Sequence, residues 1–270
     1  QPMEFFKGDE APARLMRFRE KFQTLSAYDL DYVFCLKFDA NLSQLSAKEF
    51  VQNVLVSHLN VEHLVIGDDF RFGGDYKLLC SLSKEFGFTV ENTQTILAKE
   101  SCDFDEEECP LEEDDFTQRA SSTFIRELLY LGEFTKVEQL LGRPYSVCGR
   151  VAHGQKLGRQ LGFPTANINL KRVSSPLSGV YAVSLFLKSE NEMISGVANV
   201  GCKPTVGQFR PSLEVHLFDF NKDIYGEFVE VQFHHKLRDE QKFSDIEQLK
   251  KQIELDSQAA RVFFTSKLSK

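Results

Sequence analysis

The chain has 270 residues, 42% of them hydrophobic and 27% charged, enough apolar material for two domains and too much for a disordered chain. No run approaches the roughly 18 consecutive apolar residues of a membrane span, and no basic-then-apolar leader follows Gln1, so a cytoplasmic location is expected. The net charge of −8 without a broad basic stripe argues against nucleic acid as a partner.

The acidity is local. Residues 100–117 hold ten acidic and no basic side chains, and without them 30 acids face 32 bases. Such a run repels itself and reads as a surface insert. Six cysteines stand at 35, 80, 102, 109, 148 and 202 with no C-x-x-C, so reduced thiols are expected.

In chain order, Pro12 opens a predicted helix with Leu15, Phe18, Phe22 and Leu25 at helical spacing. Tyr32–Phe38 reads as a strand. Ser46 and Glu49 form a capping box before the apolar helix face Phe50, Val51, Val54, Leu55 and Leu59. His63–Ile66 is a short strand closed by Gly67. Asp75 caps a helix ending near Gly87, and Phe88 starts an extended stretch. This strand–helix alternation predicts a parallel sheet with helices on its faces. Ser121–Leu131 is a helix stopped by Gly132, and Thr135 with Glu138 caps another ending near Gly142.

The pattern changes at Arg143-Pro144. Tyr145–Val151, Gly179–Leu187, Ile194–Val200, Ser212–Phe218 and Phe228–Phe233 are short β-rich runs separated by Gly and Pro. They predict an antiparallel sheet closed into a small barrel. Within Ser212–Phe218, Leu213, Val215 and Leu217 face one way and Glu214, His216 and Phe218 the other. A last helix is capped by Ser244 and Glu247, with Ile246, Leu249, Ile253, Ala260 and Phe263 or Phe264 inward. The expected division is 1–142, an α/β domain carrying the acidic insert, and 143–270, a β-barrel domain with a C-terminal helix.

The densest chemical signal runs from Gly149 to Asn167. Gly149, Gly154, Gly158 and Gly162 alternate with Arg150, Lys156 and Arg159. Glycines let backbone amides approach phosphate oxygens, and cations neutralise them. Thr165 and Asn167, two apart, point their oxygens the same way on an extended segment, a pair suited to Mg²⁺ that shares its shell with phosphates and water. Read blandly, Gly162-Phe163-Pro164-Thr165 is ordinary turn chemistry. Glu214 is either a solvated strand residue or a general base for an alcohol. Arg238 either holds an anionic or planar ligand or is a surface charge beside Asp239 and Glu240. His234 and His235 point to opposite faces of a strand and cannot form a two-ligand metal site. In the first half, Asp68 and Asp69 end a predicted parallel strand, where α/β ligands bind. Ser121, Ser122, Thr123 and Arg126 open a helix, either as phosphate ligands or as simple N-caps.

The order GDDFRFG, SSTFIR, LLGRPY, GRVAHG, LGFPTAN, GVYAV, GVANVG, KPT, LEVHLFDF, YG, LRDE resembles the bacterial bifunctional riboflavin kinase/FMN adenylyltransferase family, over nearly the whole chain. The resemblance implies two reactions with ATP, riboflavin and FMN as substrates and Mg²⁺ as cofactor. It implies a Rossmann-like nucleotidyltransferase domain followed by a kinase barrel. It places ATP or flavin against Gly149, His153, Gly154, Lys156, Gly158, Gly162, Phe163 and Pro164, with the glycine-rich stretch from Gly149 to Gly162 wrapping the ATP. Thr165 and Asn167 would bind Mg²⁺ and phosphates, Glu214 would be the base on the ribityl hydroxyl, and Arg238 would lie near the flavin. In the first half, Ser121, Ser122, Thr123 and Arg126 would meet ATP phosphates, with Asp68 and Asp69 bordering the site.

The sequence departs from the pattern in its first half. The family's H-x-G-H pair is absent, since no two of the six histidines are three apart. Gln1–Phe6 resembles a segment that follows that loop. N-terminal residues are therefore expected to be missing, FMN adenylylation to be lost or severely impaired without them, and riboflavin phosphorylation to survive. Two alternatives stay open: a kinase with a scaffold first half, and a non-catalytic flavin-binding protein.

Overall fold

A computed structural model describes residues 2–67, 70, 73–93, 97–98, 118–154, 157–205 and 208–268. Along the chain the elements are α1 (Pro2–Lys7), α2 (Phe18–Leu25), α3 (Ala40–Ser43), α4 (Ala47–Glu49, running into a π-helical stretch Phe50–His58), β1 (His63–Gly67), α5 (Tyr76–Phe86), β2 (Thr89–Thr93), β3 (Leu97–Ala98), β4 (Gln118–Arg119), α6 (Ser122–Leu131), α7 (Phe134–Leu141), β5 (Tyr145–Ala152), α8 (Leu157–Gln160), β6 (Thr165–Asn169), β7 (Gly179–Leu187), β8 (Glu192–Thr205), β9 (Gln208–Leu217), β10 (Phe228–Arg238) and α9 (Ile246–Leu268). Residues 1–11 with 32–120 form one compact unit, and 12–31 with 121–270 form the other. Among the described residues no helix is long and apolar enough to cross a membrane.

In the first unit β1 and β2 pair in parallel, joined through α5, as the strand–helix–strand alternation predicts. Asp75 caps α5 by accepting the Leu78 N–H at 2.9 Å, and Gly87 ends it in the left-handed region. Ser46 and Glu49 make the expected capping box. Val51, Leu55, Ile66, Leu79, Leu82 and Phe88 form the core. Tyr32–Phe38 is not a strand. It has no ladder partner among the described residues, and Tyr32 and Phe34 are 80% and 67% exposed. β-propensity expresses itself only against neighbouring strands.

The second unit is a closed six-stranded antiparallel barrel, order β10-β5-β6-β9-β8-β7, with α9 on its outer wall. The expected barrel and C-terminal helix are both present. β5 and β7 begin at the predicted residues, while β8, β9 and β10 run beyond the predicted runs. β6 is a sixth strand that no apolar run announces. Leu213, Val215 and Leu217 face the interior with Tyr181, Val183, Val229, Val231 and Phe233, and α6 and α7 add Leu129, Phe134 and Val137 to that core. On the outer wall Val180, Ala182, Val197, Phe218 and Ala260 form a second layer under α9. β7 is therefore buried on both faces.

Three cap predictions fail here. The first helix starts at Phe18 rather than Pro12, because the Glu20 carboxylate takes the Arg17 N–H at 2.6 Å and caps it there. α7 begins at Phe134, burying Phe134 and Val137, so Thr135 lies inside the helix rather than at its cap. At α9 the cap is Asp245, which accepts the Gln248 N–H at 2.8 Å. Ile246 is then exposed, while Ala260 is fully buried.

Candidate active site

β6 is the centre of the site. Its residues pair with β9 as Thr165↔His216 and Asn167↔Glu214, and β9 pairs with β8 as Glu214↔Asn199. Directly opposed residues project from the same face of a sheet. The neighbours Ala166, Leu213 and Val215 belong to the interior core, so Thr165, Asn167, His216 and Glu214 share the outer face. The Thr165 and Asn167 side chains are half-buried, as is Glu214. The turn before β6 is held down by His216, whose Nδ1 donates to the Pro164 carbonyl at 2.9 Å, and by an edge-on contact of the Phe163 and His216 rings. Gly162 reverses the chain there at φ +91°, a conformation other residues resist.

A cleft of about 390 Å³ opens over this strand. One wall is Gly154, Arg159, Pro164, Thr165 and Asn167; the other is the 220–225 loop with Lys222, Asp223 and Tyr225. His153 stacks obliquely on Tyr225 at 4.0 Å between ring centroids. Gly154 lies so close to β6 that a Cβ there would meet the Asn167 amide at 2.3–2.6 Å. Lys222 pairs with Glu190, and that hydrogen bond holds its ammonium above the ordinary lysine range. Among the described residues no group of three His, Cys, Asp or Glu side chains could hold a metal ion.

Residues 141–264 match the family model for riboflavin kinase, and residues 1–103 match that for FAD synthetase. The chain is 46% identical over 270 residues to the bifunctional riboflavin kinase/FMN adenylyltransferase of Haemophilus influenzae, covering 98% of this chain and 82% of that one. It is 43% identical over 268 residues to the same enzyme of Escherichia coli K12, covering 98% and 80%. The chain belongs to the bifunctional riboflavin kinase/FMN adenylyltransferase family. A solved structure described as a macrolide-efflux protein from Streptococcus pneumoniae is 29% identical, with a TM-score of 0.72 over 94% of this chain and 77% of that one.

Against that family's pattern, the barrel brings together His153, Gly154, Gly158, Gly162, Phe163, Pro164, Thr165 and Asn167. Gly158 backs onto the turn, where a Cβ would meet the Phe163 carbonyl oxygen at 2.4 Å. Lys156 lies outside the described residues. Gly149 stands apart: it is buried within β5, and a Cβ there would collide with Ile168 at 2.4 Å. Its lack of a side chain serves packing between strands rather than the cleft. Glu214 sits beside Asn167 but does not line the cleft. Arg238 is farther off. It faces Val180 on β7, three strands round the wall from Glu214. Its Nε and Nη2 donate to the Asp256 carboxylate of α9 at 2.8–3.1 Å.

In the adenylyltransferase pattern, Asp68, Asp69 and the acidic stretch 100–117 lie outside the described residues. Ser121 caps α6 by accepting the Phe124 N–H at 3.2 Å. Ser122 and Thr123 are exposed in its first turn. Arg126 donates to the Ala13 carbonyl at 2.6 Å and the Ser122 carbonyl at 3.0 Å. Cys35, Cys80 and Cys148 are free thiols. Sequence reasoning missed Lys222, Asp223 and Tyr225. The available signal was the polar turn Asn221-Lys-Asp-Ile-Tyr-Gly226, whose place opposite β6 only the closed barrel reveals.

Proposed function

We propose that the cleft over β6 binds ATP and that the barrel transfers its γ-phosphoryl group to the ribityl 5′-hydroxyl of riboflavin, giving FMN and ADP. One observation carries the reading: Thr165, Asn167 and Glu214 share one face of two paired strands, at the edge of a cleft whose opposite wall supplies Lys222. Thr165 Oγ1 and the Asn167 amide oxygen would hold Mg²⁺, which fits two neutral donors packed against a glycine. The metal supplies charge neutralisation at the phosphates. Gly154 and Gly158 present backbone to the nucleotide. The riboflavin hydroxyl oxygen attacks the γ-phosphorus as the bond to the bridging oxygen breaks, and Glu214 takes the hydroxyl proton. Positioning supplies most of the acceleration in such a reaction.

We assign FMN adenylylation to the first half on the family match over residues 1–103, with the domain boundary at 142/143, beside the start of the riboflavin kinase match at residue 141. The enzyme so read is cytoplasmic, with small-molecule substrates rather than nucleic acid or a membrane as its partners.

The test is incubation with riboflavin, ATP and Mg²⁺, with FMN and FAD resolved by chromatography. Magnesium-dependent FMN is expected. Glu214→Gln should lower kcat by roughly 10²- to 10⁴-fold with riboflavin affinity kept. Unchanged turnover in that variant removes Glu214 from the mechanism, and FAD formed at a normal rate by this chain removes the expectation that adenylylation needs the H-x-G-H segment.

A further inference from the structure

β6 is poorly anchored on one side. Five register pairs join it to β9, but only two, Val151↔Ile168 and Ala152↔Asn167, join it to β5. β5 continues back to Tyr145, paired with β10 on its other edge. Alternate residues of an antiparallel strand direct N–H and C=O to opposite neighbours. Val151 bonds towards the β10 side, donating to Glu227 and accepting from Gly226 at 2.9 Å each. Cys148 therefore directs its backbone groups towards the β6 side. There β6 has already ended. Continued, the register would bring Lys171 opposite Cys148, but Lys171 turns the chain away at φ +45°.

α2 occupies the vacant place. The Cys148 N–H donates to Glu20 Oε1 at 3.0 Å, and the Cys148 carbonyl accepts from Arg17 Nη2. The same carboxylate accepts from Arg172 Nη2 at 2.7 Å, three residues beyond the end of β6. Arg172 Nη1 also donates to the Arg14 carbonyl at 3.0 Å and to the Tyr145 hydroxyl at 3.2 Å, and Tyr145 donates to the Leu15 carbonyl at 3.0 Å. Glu20 and Arg172 are only 5% and 8% exposed. One buried carboxylate thus ties the start of β5 to the chain leaving β6.

We infer that Arg17 and Glu20 stand in for a missing strand at the β5/β6 seam and, with Arg172, act as positioning residues for Thr165 and Asn167. The inference rests on the assignment of those two residues to the ATP site. Opening the seam frees the end of β6 and misplaces both residues, so the effect falls on ATP rather than on riboflavin.

Glu20→Gln keeps the shape and an acceptor but removes the charge between two guanidinium groups. In the full chain it should raise the KM for ATP roughly 10-fold or more, leave the KM for riboflavin unchanged, and speed amide exchange across β6 but not β7. Removing one buried partner is disruptive, whereas replacing both by apolar side chains is tolerated. Glu20→Leu with Arg17→Met and Arg172→Met, which replaces the whole triad, is therefore the folded control, and it should show the same ATP-specific defect because Cys148 then has neither partner. The inference is overturned if either folded variant keeps the parent's ATP KM and β6 exchange, or if both substrates' KM values move together. Asn167→Ala in the same assay separates the two readings. If it raises the ATP KM while Glu20→Gln does not, the seam inference alone falls. If it leaves the ATP KM unchanged, the site assignment falls, and β6 exchange alone decides the seam.

Discussion

Gly154 shows how little tolerance the cleft has. Its hydrogen faces the Asn167 amide, where a methyl group would overlap three side-chain atoms. Gly154→Ala should keep the fold, since the position is at the end of β5 and half-exposed, yet weaken ATP binding roughly 10-fold by rotating Asn167. Titration of ATP against quenching of a bound nucleotide analogue checks this, with circular dichroism confirming the fold.

A second residue sets a pH response. His234 hydrogen-bonds Ser184 at 2.6 Å and packs edge-on against Phe264 of α9. Burial, with Lys267 as a smaller cause, pushes its pKa down to about 4 from 6.5. Between those values the unfolded chain binds the proton and the folded chain does not. Stability therefore rises with pH across that window and is lost as pH falls through it. The melting temperature should fall less between pH 6.5 and pH 4 in His234→Asn than in the parent. Equal slopes would show that other groups carry the acid response.

At the scale of elements, periodicity in the sequence found what depends on one element alone. The inward alternation of Leu213, Val215 and Leu217 matches their burial in the barrel, and Gly87, Gly132 and Gly142 end their helices in the left-handed region. What depends on a neighbour was not legible. Tyr32–Phe38 has strand composition without a ladder partner among the described residues. β6 is a strand because β9 binds it, although Thr165–Asn169 carries little β-propensity. The Thr135/Glu138 cap was displaced because burial of Phe134 and Val137 starts α7 one residue before Thr135, and the Ser244/Glu247 cap because the neighbouring Asp245 carboxylate takes the Gln248 N–H. α9 docks through Ala260, fully buried between Val180, Ala182 and Val197. Ala260→Leu overfills that contact and should cost about 1–3 kcal/mol of stability. Urea unfolding would measure it, with a shifted midpoint and unchanged slope expected.

On the scale of the whole molecule, two cores of unequal size share one chain. Among the described residues, 25 buried apolar side chains fill the barrel cluster and six fill that of the α/β unit. Burial of apolar area drives stability, so unfolding should not be a single two-state event. Native-state hydrogen exchange should open β1 and β2 at lower denaturant than β7 and β10. Coincident opening would contradict independent cores.

The chain also crosses between the units more often than a linear reading allows, since residues 12–31 belong with the barrel. The sequence by itself determined the fold class and the elements that rest on local pattern. Alternating apolar strands, glycine turns and the Thr165–Asn167 spacing are local patterns, and local patterns survive in one dimension. Only the tertiary structure decided that Lys222 and Tyr225 face β6, that Gly149 serves packing, that Arg238 pairs with Asp256, and that Glu20 seals β5. The cleft contacts and Glu20–Cys148 join residues far apart in the chain, while Arg238–Asp256 and Gly149–Ile168 are nearer in sequence but depend on α9 folding back over the barrel and on β6 pairing with β5. Barrel closure sets such contacts all at once, and no single segment's periodicity encodes them.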